Sequence, residues 1–312
     1  MMPAMKTPIA IALHGGAGVL TRAKIDNSAE REYRTALQAA LDLGWEMLCA
    51  GGSSLDAVEA VTRNLEDCPL FNAGRGSVYT SAGTHEMDAS IMCGRKGQAG
   101  AVAAVSRIRN PVSLARLVME QSGAVLLCGE GAEAFARECG IVLTASRYFH
   151  TDARREQLET ARRMGRVSVD HDEMQEKYGT VGAAALDAAG NLAAATSTGG
   201  MTNKRPGRIG DSPVPGAGTF ADNTTCAVSC TGEGEAFLRC CAAHEVSARM
   251  RHGGADLATA AEMVIHTVLP GKGGLVAVDR SGAVALPFNT EGMFRAWRSS
   301  SGTDGVAIYG EA

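Results

Sequence analysis

Residues 179–198 read GTVGAAALDAAGNLAAATST and carry the strongest structural signal in the chain. Two runs of small apolar residues, 183–187 and 192–198, flank a Gly190-Asn191 turn, and this pattern predicts a β-hairpin with little side-chain volume. The preceding stretch, about 161–179, differs in kind, because charged side chains crowd there and apolar ones are isolated. We interpret it as an exposed, mobile linker that leads into the hairpin.

On both sides of the hairpin, strands are predicted in clusters, with helices in pairs between them. The predicted strands cover residues 8–14, 77–80, 87–93, 100–105, 125–128, 219–221, 226–231, 275–279 and 283–286. The predicted helices cover residues 27–50, 53–68, 110–119, 131–139, 235–250 and 257–269, and a glycine-rich turn covers 14–18. This order favours an α+β layered sandwich, and neither half has enough strands to fold alone.

Charge and hydropathy exclude several classes of protein. The 30 basic and 34 acidic side chains give a net charge of −4, and the sequence has no basic block. It therefore offers no basic segment that would attract nucleic acid or an anionic membrane. The longest early apolar run, Ile9–Leu13, is too short for a signal peptide or a membrane span, and we expect a cytoplasmic protein. A small-molecule partner fits best.

Cysteine and histidine spacing gives no sign of a disulfide framework or a metal centre. Nine cysteines occur without a C-x-x-C pair, so reduced thiols are expected. The seven histidines never adopt a zinc-binding spacing. Catalysis is therefore expected to use a different kind of group.

A threonine at the start of a chain carries its own general base. Its hydroxyl is the nucleophile, and its α-amine, with an ordinary pKa of about 7.7–8.0, accepts the proton. Thr180 opens the predicted hairpin but is internal, so its hydroxyl would first have to cleave the Gly179–Thr180 bond through an ester. Gly179 suits this step because it has no Cβ to oppose a strained peptide. Cleavage would leave an α subunit, 1–179, and a β subunit, 180–312.

Seven motifs that occur in order along the chain resemble those of the plant-type asparaginases, also called isoaspartyl peptidases. They are His14–Gly18, Phe71–Gly74, Gly179–Gly182, Thr196–Gly200, Gly207–Ser212, Ser229–Gly232 and Pro287–Met293. The resemblance implies a four-layer αββα sandwich of the N-terminal-nucleophile hydrolase type, self-cleavage and an (αβ)₂ heterotetramer. It also implies that a threonine acyl-enzyme hydrolyses β-aspartyl dipeptides and L-asparagine to release L-aspartate. The sequence leaves the preference between these two substrates open.

The same resemblance implies roles for single residues. Thr180 is the nucleophile, Thr198 hydrogen-bonds it, and Thr231 with the N–H of Gly232 forms the oxyanion hole. Arg208 and Asp211 anchor the substrate, since their charges complement a carboxylate and an ammonium group. The further substrate contacts are Thr231, Gly232, Glu233 and Gly234. The supporting residues are Asn72, which helps to orient the nucleophile, and Gly15 and Gly16, which belong to a loop implicated in self-cleavage.

The resemblance implies no cofactor for catalysis but does imply a structural sodium ion held by backbone carbonyls. The matching residues are Leu65, Glu66, Cys68, Phe71, Ala73 and Arg75. Carbonyl oxygens suit a hard cation, and Arg75 fits there if its guanidinium points away. His14 is expected to be a hydrogen-bonded core residue, because the mechanism takes its base from the α-amine.

Two other interpretations compete with this one. Residues 125–128 followed by the G-x-G-x-x-A stretch 129–134 suggest a nucleotide-binding module. Glu130 stands where a pyrophosphate would lie, however, and the parallel β-α-β order is not predicted. Glycosylasparaginases, in the same superfamily, and taspase-like proteases have Asp before the nucleophilic Thr. This chain has Gly179 there, which disfavours both.

Overall fold

The structure is a computed structural model that describes residues 8–23, 25–164 and 179–310. Twelve strands occur in these residues: β1 (Ala10–Gly18), β2 (Met87–Cys93), β3 (Gln98–Val105), β4 (Leu126–Cys128), β5 (Val181–Leu186), β6 (Leu192–Thr198), β7 (Thr219–Ala221), β8 (Cys226–Gly232), β9 (Gly273–Asp279), β10 (Val284–Ala285), β11 (Gly292–Ser299) and β12 (Asp304–Tyr309). They form two sheets.

Eight α-helices cover the two sheets in the described part of the chain. They are α1 (Asn27–Cys49), α2 (Ser54–Asp67), α3 (Pro111–Gln121), α4 (Gly129–Glu138), α5 (Asp152–Arg163), α6 (Gly234–Cys240), α7 (Ala242–Gly253) and α8 (Leu257–Glu262). A π-helical turn, Met263–Val268, continues α8, and short 3-10 turns occur at Gly74–Gly76 and Ser146–Tyr148. None of these helices combines the length and the apolar character that crossing a bilayer requires.

The larger sheet has eight strands in the order β12-β11-β1-β5-β6-β2-β3-β4, and the smaller one has the order β10-β9-β8-β7. Every pair is antiparallel except β3 with β4. Helices α1, α2 and α3 pack on the larger sheet, whereas α7 and α8 pack on the smaller one, and β1, β5 and β6 face β8 and β9. The predicted αββα sandwich is therefore confirmed.

The predicted hairpin forms the centre of the larger sheet. Strand β5 pairs with β1 on one side and with β6 on the other, and the ladder begins at Val181 opposite Ser197. One step further along the same register, Thr180 lies opposite Thr198. Alanines supply much of the layer between the sheets, so the two backbones approach closely there.

Four sequence predictions in the N-terminal half need correction. The glycine-rich stretch 14–18 is not a turn, because β1 continues through it with a bulge between His14 and Gly16 and stays paired with β11. Residues 77–80 form only an isolated bridge, between Thr80 and Lys204. A parallel β-α-β order was not predicted, but it occurs in the unit β3-α3-β4. Helix α5 was not predicted, and it occupies the start of the expected linker; residues 165–178 lie outside the described residues.

The C-terminal half differs from the prediction in its helices and in two strands. The helix expected over 235–250 is broken at Cys241, whose left-handed conformation (φ 50°) ends α6 and begins α7. The helix expected over 257–269 turns into the π-helical segment. Strands β11 and β12 were not predicted, although β11 supplies the second neighbour of β1.

The left-handed backbone of Cys241 gives a stability prediction. A residue with a Cβ pays about 1–2 kcal/mol in this conformation, whereas glycine adopts it freely at a smaller cost in unfolded-chain entropy. Cys241→Gly should therefore raise the free energy of unfolding by about 0.5–1 kcal/mol, measured by urea denaturation. The control is Cys49→Gly, at another exposed cysteine, which ends α1 with right-handed geometry. It should lower the stability, and a loss at both sites would contradict the strain argument.

Candidate active site

A cleft opens at the start of β5, between the two sheets. It is lined by Gly179, Thr180, Thr198, Gly200, Met201, Arg208, Gly210, Asp211, Ser212, Gly232 and Gly234. The fold thus brings together the expected nucleophile, its threonine partner, both charged anchors and two of the glycines, although they come from distant parts of the chain. Glu233 does not line the cleft, and its carboxylate instead pairs with Lys272 at 2.5 Å.

Thr180 is almost buried, with 7% of its surface exposed. Its Oγ1 lies 3.5 Å from the hydroxyl of Ser212, which is long for a hydrogen bond. Its carbonyl oxygen lies 2.9 Å from Nδ1 of His14. Sequence reasoning did not assign Ser212 to the site, although it ends the Gly207–Ser212 motif.

The Gly179–Thr180 peptide lies against other backbone. Gly16 has a positive φ of 114°, and a Cβ there would come within 2.5 Å of the Gly179 nitrogen. A Cβ on Gly15 would come within 2.4 Å of the Phe71 ring. On the other side, a Cβ on Gly179 would lie 3.3 Å from Oγ1 of Thr231. Only glycine at position 16 leaves room for this peptide.

Asn72 acts on the loop that follows Thr198. Its Nδ2 donates to the carbonyl of Gly200 at 2.7 Å, and its backbone carbonyl accepts from the N–H of Gly199 at 3.0 Å. Oγ1 of Thr198 accepts from the N–H of Gly200 at 3.0 Å. The fully buried Asn72 therefore helps to fix the turn that follows Thr198.

Thr231 keeps a hydroxyl proton available in the site. Its Oγ1 accepts from the N–H of Ala17 at 3.2 Å, which leaves the O–H as a donor. The next residue, Gly232, has a φ of 150° and lines the cleft. Gly232 thus places backbone at the wall of the cleft. The fully buried Thr231 does not line the cleft, and its hydroxyl would lie 3.3 Å from a Cβ built on Gly179.

Arg208 is held by a residue that sequence reasoning missed. Its Nε and Nη2 donate to the two carboxylate oxygens of Glu235 at 2.8 and 2.7 Å. The hydrogen bonds from Arg208 hold the pKa of Glu235 below its usual value. The edge of the guanidinium that carries Nε and Nη2 is thus fixed by Glu235, and Nη1 lies outside this pair of hydrogen bonds. Glu235 directly follows Gly234. A Cβ built on Gly234 would lie 2.9 Å from Arg208 Nη2.

Asp211 is an unsatisfied buried carboxyl group. Only 3% of its surface is exposed, and its Oδ2 has no hydrogen-bond partner among the described residues. Burial raises its pKa to about 7, and the charge of Arg208 opposes this rise. A buried carboxylate without a partner is costly, so the site is suited to a cationic group that would supply the missing donor.

His14 is a hydrogen-bonded core residue, as predicted. It is completely buried, and burial lowers its pKa to about 3, so the ring is neutral. A carbonyl can only accept, so Nδ1 carries the proton that it donates to Thr180. Nε2 then accepts from the hydroxyl of Ser229 at 2.8 Å. Neither ring nitrogen is free to act as a base.

The loop expected to hold sodium presents backbone carbonyls. The carbonyls of Leu65, Phe71 and Ala73 each accept one backbone N–H, at 3.0–3.3 Å, and retain a second lone pair. The exposed Arg75 places its guanidinium 5.7 Å from the centroid of the Tyr148 ring. Among the described residues no group of three or more His, Cys, Asp or Glu side chains could hold a metal. Carbonyl oxygens are ligands that a hard cation prefers, and the Arg75 side chain turns to an aromatic ring.

The glycine-rich stretch 129–134 is the N-terminal part of helix α4, and it has a structural use of its own. The carboxylate of Glu133 accepts from the N–H groups of Ser106 and Arg107, at 2.8 and 3.0 Å. The parallel unit β3-α3-β4 precedes this stretch, and β4 is the edge strand of its sheet. A dinucleotide fold needs a further parallel strand after this helix, which the described sheet does not have.

Comparison with known proteins places this cleft in context. The sequence model of the family described as "Asparaginase" matches residues 7–308. The isoaspartyl peptidase of Escherichia coli is 54% identical over 308 residues, which cover 96% of each chain. The probable isoaspartyl peptidase/L-asparaginase 2 of Arabidopsis thaliana is 42% identical, covering 96% of this chain and 98% of its own. The isoaspartyl peptidase/L-asparaginase of Rattus norvegicus is also 42% identical, covering 88% and 81%.

The raised pKa of Asp211 predicts a pH-dependent cost to stability. The folded state holds the proton up to about pH 7, whereas the unfolded chain releases it near 3.8, so the free energy of unfolding falls as pH rises through this range. Asp211→Asn should be more stable than the parent at pH 8 by roughly 1–4 kcal/mol, and the difference should shrink towards pH 4 in urea denaturation. A constant difference for Asp211→Asn would contradict the assignment.

Proposed function

The chain belongs to the asparaginase family, and on that premise we propose that it is a self-cleaving amidohydrolase that acts through Thr180. It hydrolyses β-aspartyl dipeptides and L-asparagine, the activities for which its relatives are named. Those names favour this activity over that of a glycosylasparaginase. The observation that carries the proposal is the buried, unsatisfied carboxyl group of Asp211, beside Arg208 in the cleft of Thr180.

The two charged anchors select the aspartyl part of the substrate. The α-ammonium group of an aspartyl residue supplies the hydrogen bond and the charge that Asp211 Oδ2 lacks. Its α-carboxylate binds the edge of the Arg208 guanidinium that Glu235 leaves open. With both α-groups held, the side-chain carbonyl carbon is presented to Thr180. Holding the reacting atoms in this arrangement lowers the barrier, because less translational and rotational entropy is lost on reaching the transition state.

Thr180 then performs acyl transfer. Its hydroxyl oxygen attacks the side-chain carbonyl carbon while its free α-amine accepts the hydroxyl proton. The C–N bond breaks, and the amine returns that proton to the leaving nitrogen, which departs as ammonia or as an amino acid. Water then attacks the ester, and L-aspartate leaves. Thr231 and Gly232 donate to the oxygen on which negative charge develops.

The free α-amine arises from self-cleavage. The Thr180 hydroxyl attacks the Gly179 carbonyl carbon, the bond to the Thr180 nitrogen breaks, and water hydrolyses the resulting ester to a Gly179 carboxylate. The close backbone of Gly16 and the nearby hydroxyl of Thr231 support such a step. Residues 1–179 then form the α subunit and 180–312 the β subunit.

We extend the proposal to assembly, ion binding and location. The exposed apolar side chains of Val125, Leu126 and Val142 support an (αβ)₂ heterotetramer, which would bury them. The carbonyls of the 65–75 loop would hold a sodium ion, which fixes the loop and takes no part in the reaction. All nine cysteines are free, as they would be in the reducing cytoplasm.

Replacing the nucleophile should block both reactions. Thr180→Ala should remain a single 312-residue chain and release no ammonia from asparagine, whereas the parent yields fragments of 179 and 133 residues, the second beginning Thr-Val-Gly. Gel electrophoresis and Edman sequencing follow the cleavage, and an ammonia assay follows turnover. Thr225→Ala removes a buried threonine hydroxyl far from the cleft and should behave as the parent. Parent-level turnover by uncleaved Thr180→Ala would refute the proposal.

The oxyanion role of Thr231 predicts a loss confined to the chemical step. Thr231→Val should lower kcat for β-aspartyl dipeptides by about a hundredfold or more and leave KM nearly unchanged, because the lost donor acts on charge in the transition state. Thr231→Ser keeps the hydroxyl and should retain most of the activity. Equal losses in the two variants would show that shape at this position matters rather than the hydroxyl.

A further inference from the structure

We infer that His14 is a positioning residue for the proposed reaction: its Nδ1–H holds the carbonyl of Thr180, and thereby the nucleophile, in place after the chain has been cleaved. The inference rests on the proposed function, because it requires Thr180 to become a chain end. It assigns a role to a fully buried polar side chain that the acyl-transfer steps leave unused.

Cleavage removes one of the two covalent anchors of Thr180. The β5 ladder begins only at Val181, so Thr180 lies beyond the last paired residue. A terminal residue without such pairing frays unless something else holds it. The contact of its side chain with Ser212 is long, at 3.5 Å, whereas the His14 bond to its carbonyl is 2.9 Å. The imidazole therefore supplies the stronger hold.

The fold makes a specific space for this imidazole. His14 lies in β1 opposite Gly182 of β5 and reaches back towards Thr180. A Cβ on Gly182 would lie 3.0 Å from His14 Nε2 and 2.0 Å from Ser229 Oγ. Such a Cβ would also lie 2.5 Å from the backbone oxygen of Ala195. A side chain at position 182 would thus displace the Ser229 hydroxyl that contacts the ring.

A chain of buried hydroxyls fixes the far side of the ring. Ser229 Oγ contacts Thr196 Oγ1 at 2.7 Å, and Thr196 contacts Thr219 at 2.5 Å. Ser90 Oγ donates to Thr219 Oγ1 at 2.7 Å, so that each hydroxyl can donate to the next and Ser229 can donate to His14 Nε2. Every one of these hydroxyl-bearing side chains is buried. The four hydroxyls therefore supply the donor that Nε2 needs when Nδ1 carries the ring proton.

The tautomer of His14 is part of the inference. With Nδ1–H donated to a carbonyl, Nε2 needs a donor, and Ser229 provides it. Without the Ser229 hydroxyl, the Nε2 lone pair would be buried and unsatisfied, and the Nδ1–H form would lose its advantage. Ser229 thus supports the hold on Thr180 from the opposite side of the ring.

Two amide variants of His14 separate its two nitrogens. His14→Asn places an N–H at the position of Nδ1, whereas His14→Gln places one at the position of Nε2. Both should still self-cleave, because the intact peptide holds Thr180 from both sides. We express kcat for asparagine per mole of free amino-terminal threonine. On this basis, His14→Gln should have a kcat about tenfold below that of the parent with KM unchanged, whereas His14→Asn should have a kcat close to that of the parent. Equal kcat in parent and His14→Gln would overturn the inference.

Serine variants provide a matched control that is less disruptive to folding. Ser229→Ala should lower kcat severalfold without a change in KM. Ser247→Ala removes another buried serine hydroxyl, which contacts Thr225 at 2.6 Å. This variant should have the kcat of the parent and a melting temperature similar to that of Ser229→Ala. Equal kcat losses in both variants would reduce the effect to general stability and overturn the inference. Thr180→Ala, tested beside them, reports on the proposed function alone.

Nitrogen-15 NMR reads the tautomer directly. In the uncleaved Thr180→Ala protein, the His14 ring should show a protonated Nδ1 and an unprotonated Nε2 across neutral pH, with His14→Asn identifying the signals. Ser229→Ala should shift the ring towards the other tautomer. A ring protonated at Nε2 in the chain with intact Ser229 would overturn the inference, even if Thr180 proved to be the nucleophile.

Discussion

The pairing of β5 with β1 on one side and β6 on the other is the constraint on which the site depends. Because this hairpin lies at the centre of an eight-stranded sheet, its first residue is surrounded by the ends of other strands. The register places Thr180 opposite Thr198, and the bulge in β1 brings Gly16 against Gly179. A slip of one residue would turn every side chain of the hairpin to the opposite face.

The site is built largely from backbone and hydroxyl groups, and this explains the unusual use of small residues. The chain contains 38 glycines and its aromatic content is only 4%. Glycine at positions 16 and 182 allows close approach that a Cβ would block. Alanines in the layer between the sheets keep the two backbones near each other. Under the proposed mechanism, neither reaction then requires a histidine base.

The charged part of the cleft follows a different principle. Asp211 keeps a buried oxygen without a partner, and Arg208 is oriented by Glu235 before any ligand arrives. Such an arrangement costs stability in the free protein, and a ligand with an ammonium and a carboxylate group would recover that cost on binding. Under the proposed function, the stability lost at Asp211 is exchanged for selectivity towards such a ligand.

The sequence by itself determined the sandwich class, the central hairpin and most helices, because these depend on local periodicity and capping. Its ordered motifs also named Thr180, Thr198, Arg208 and Asp211, which meet in one cleft. It did not reveal that residues 14–18 continue a strand, since glycines signal a turn unless neighbours on both sides supply hydrogen bonds. Only the tertiary structure decided which groups meet: the Glu235 hold on Arg208, the contact of Ser212 with Thr180, and the His14 bond to its carbonyl. These contacts join residues 27 to 166 positions apart, and no local pattern encodes such distances.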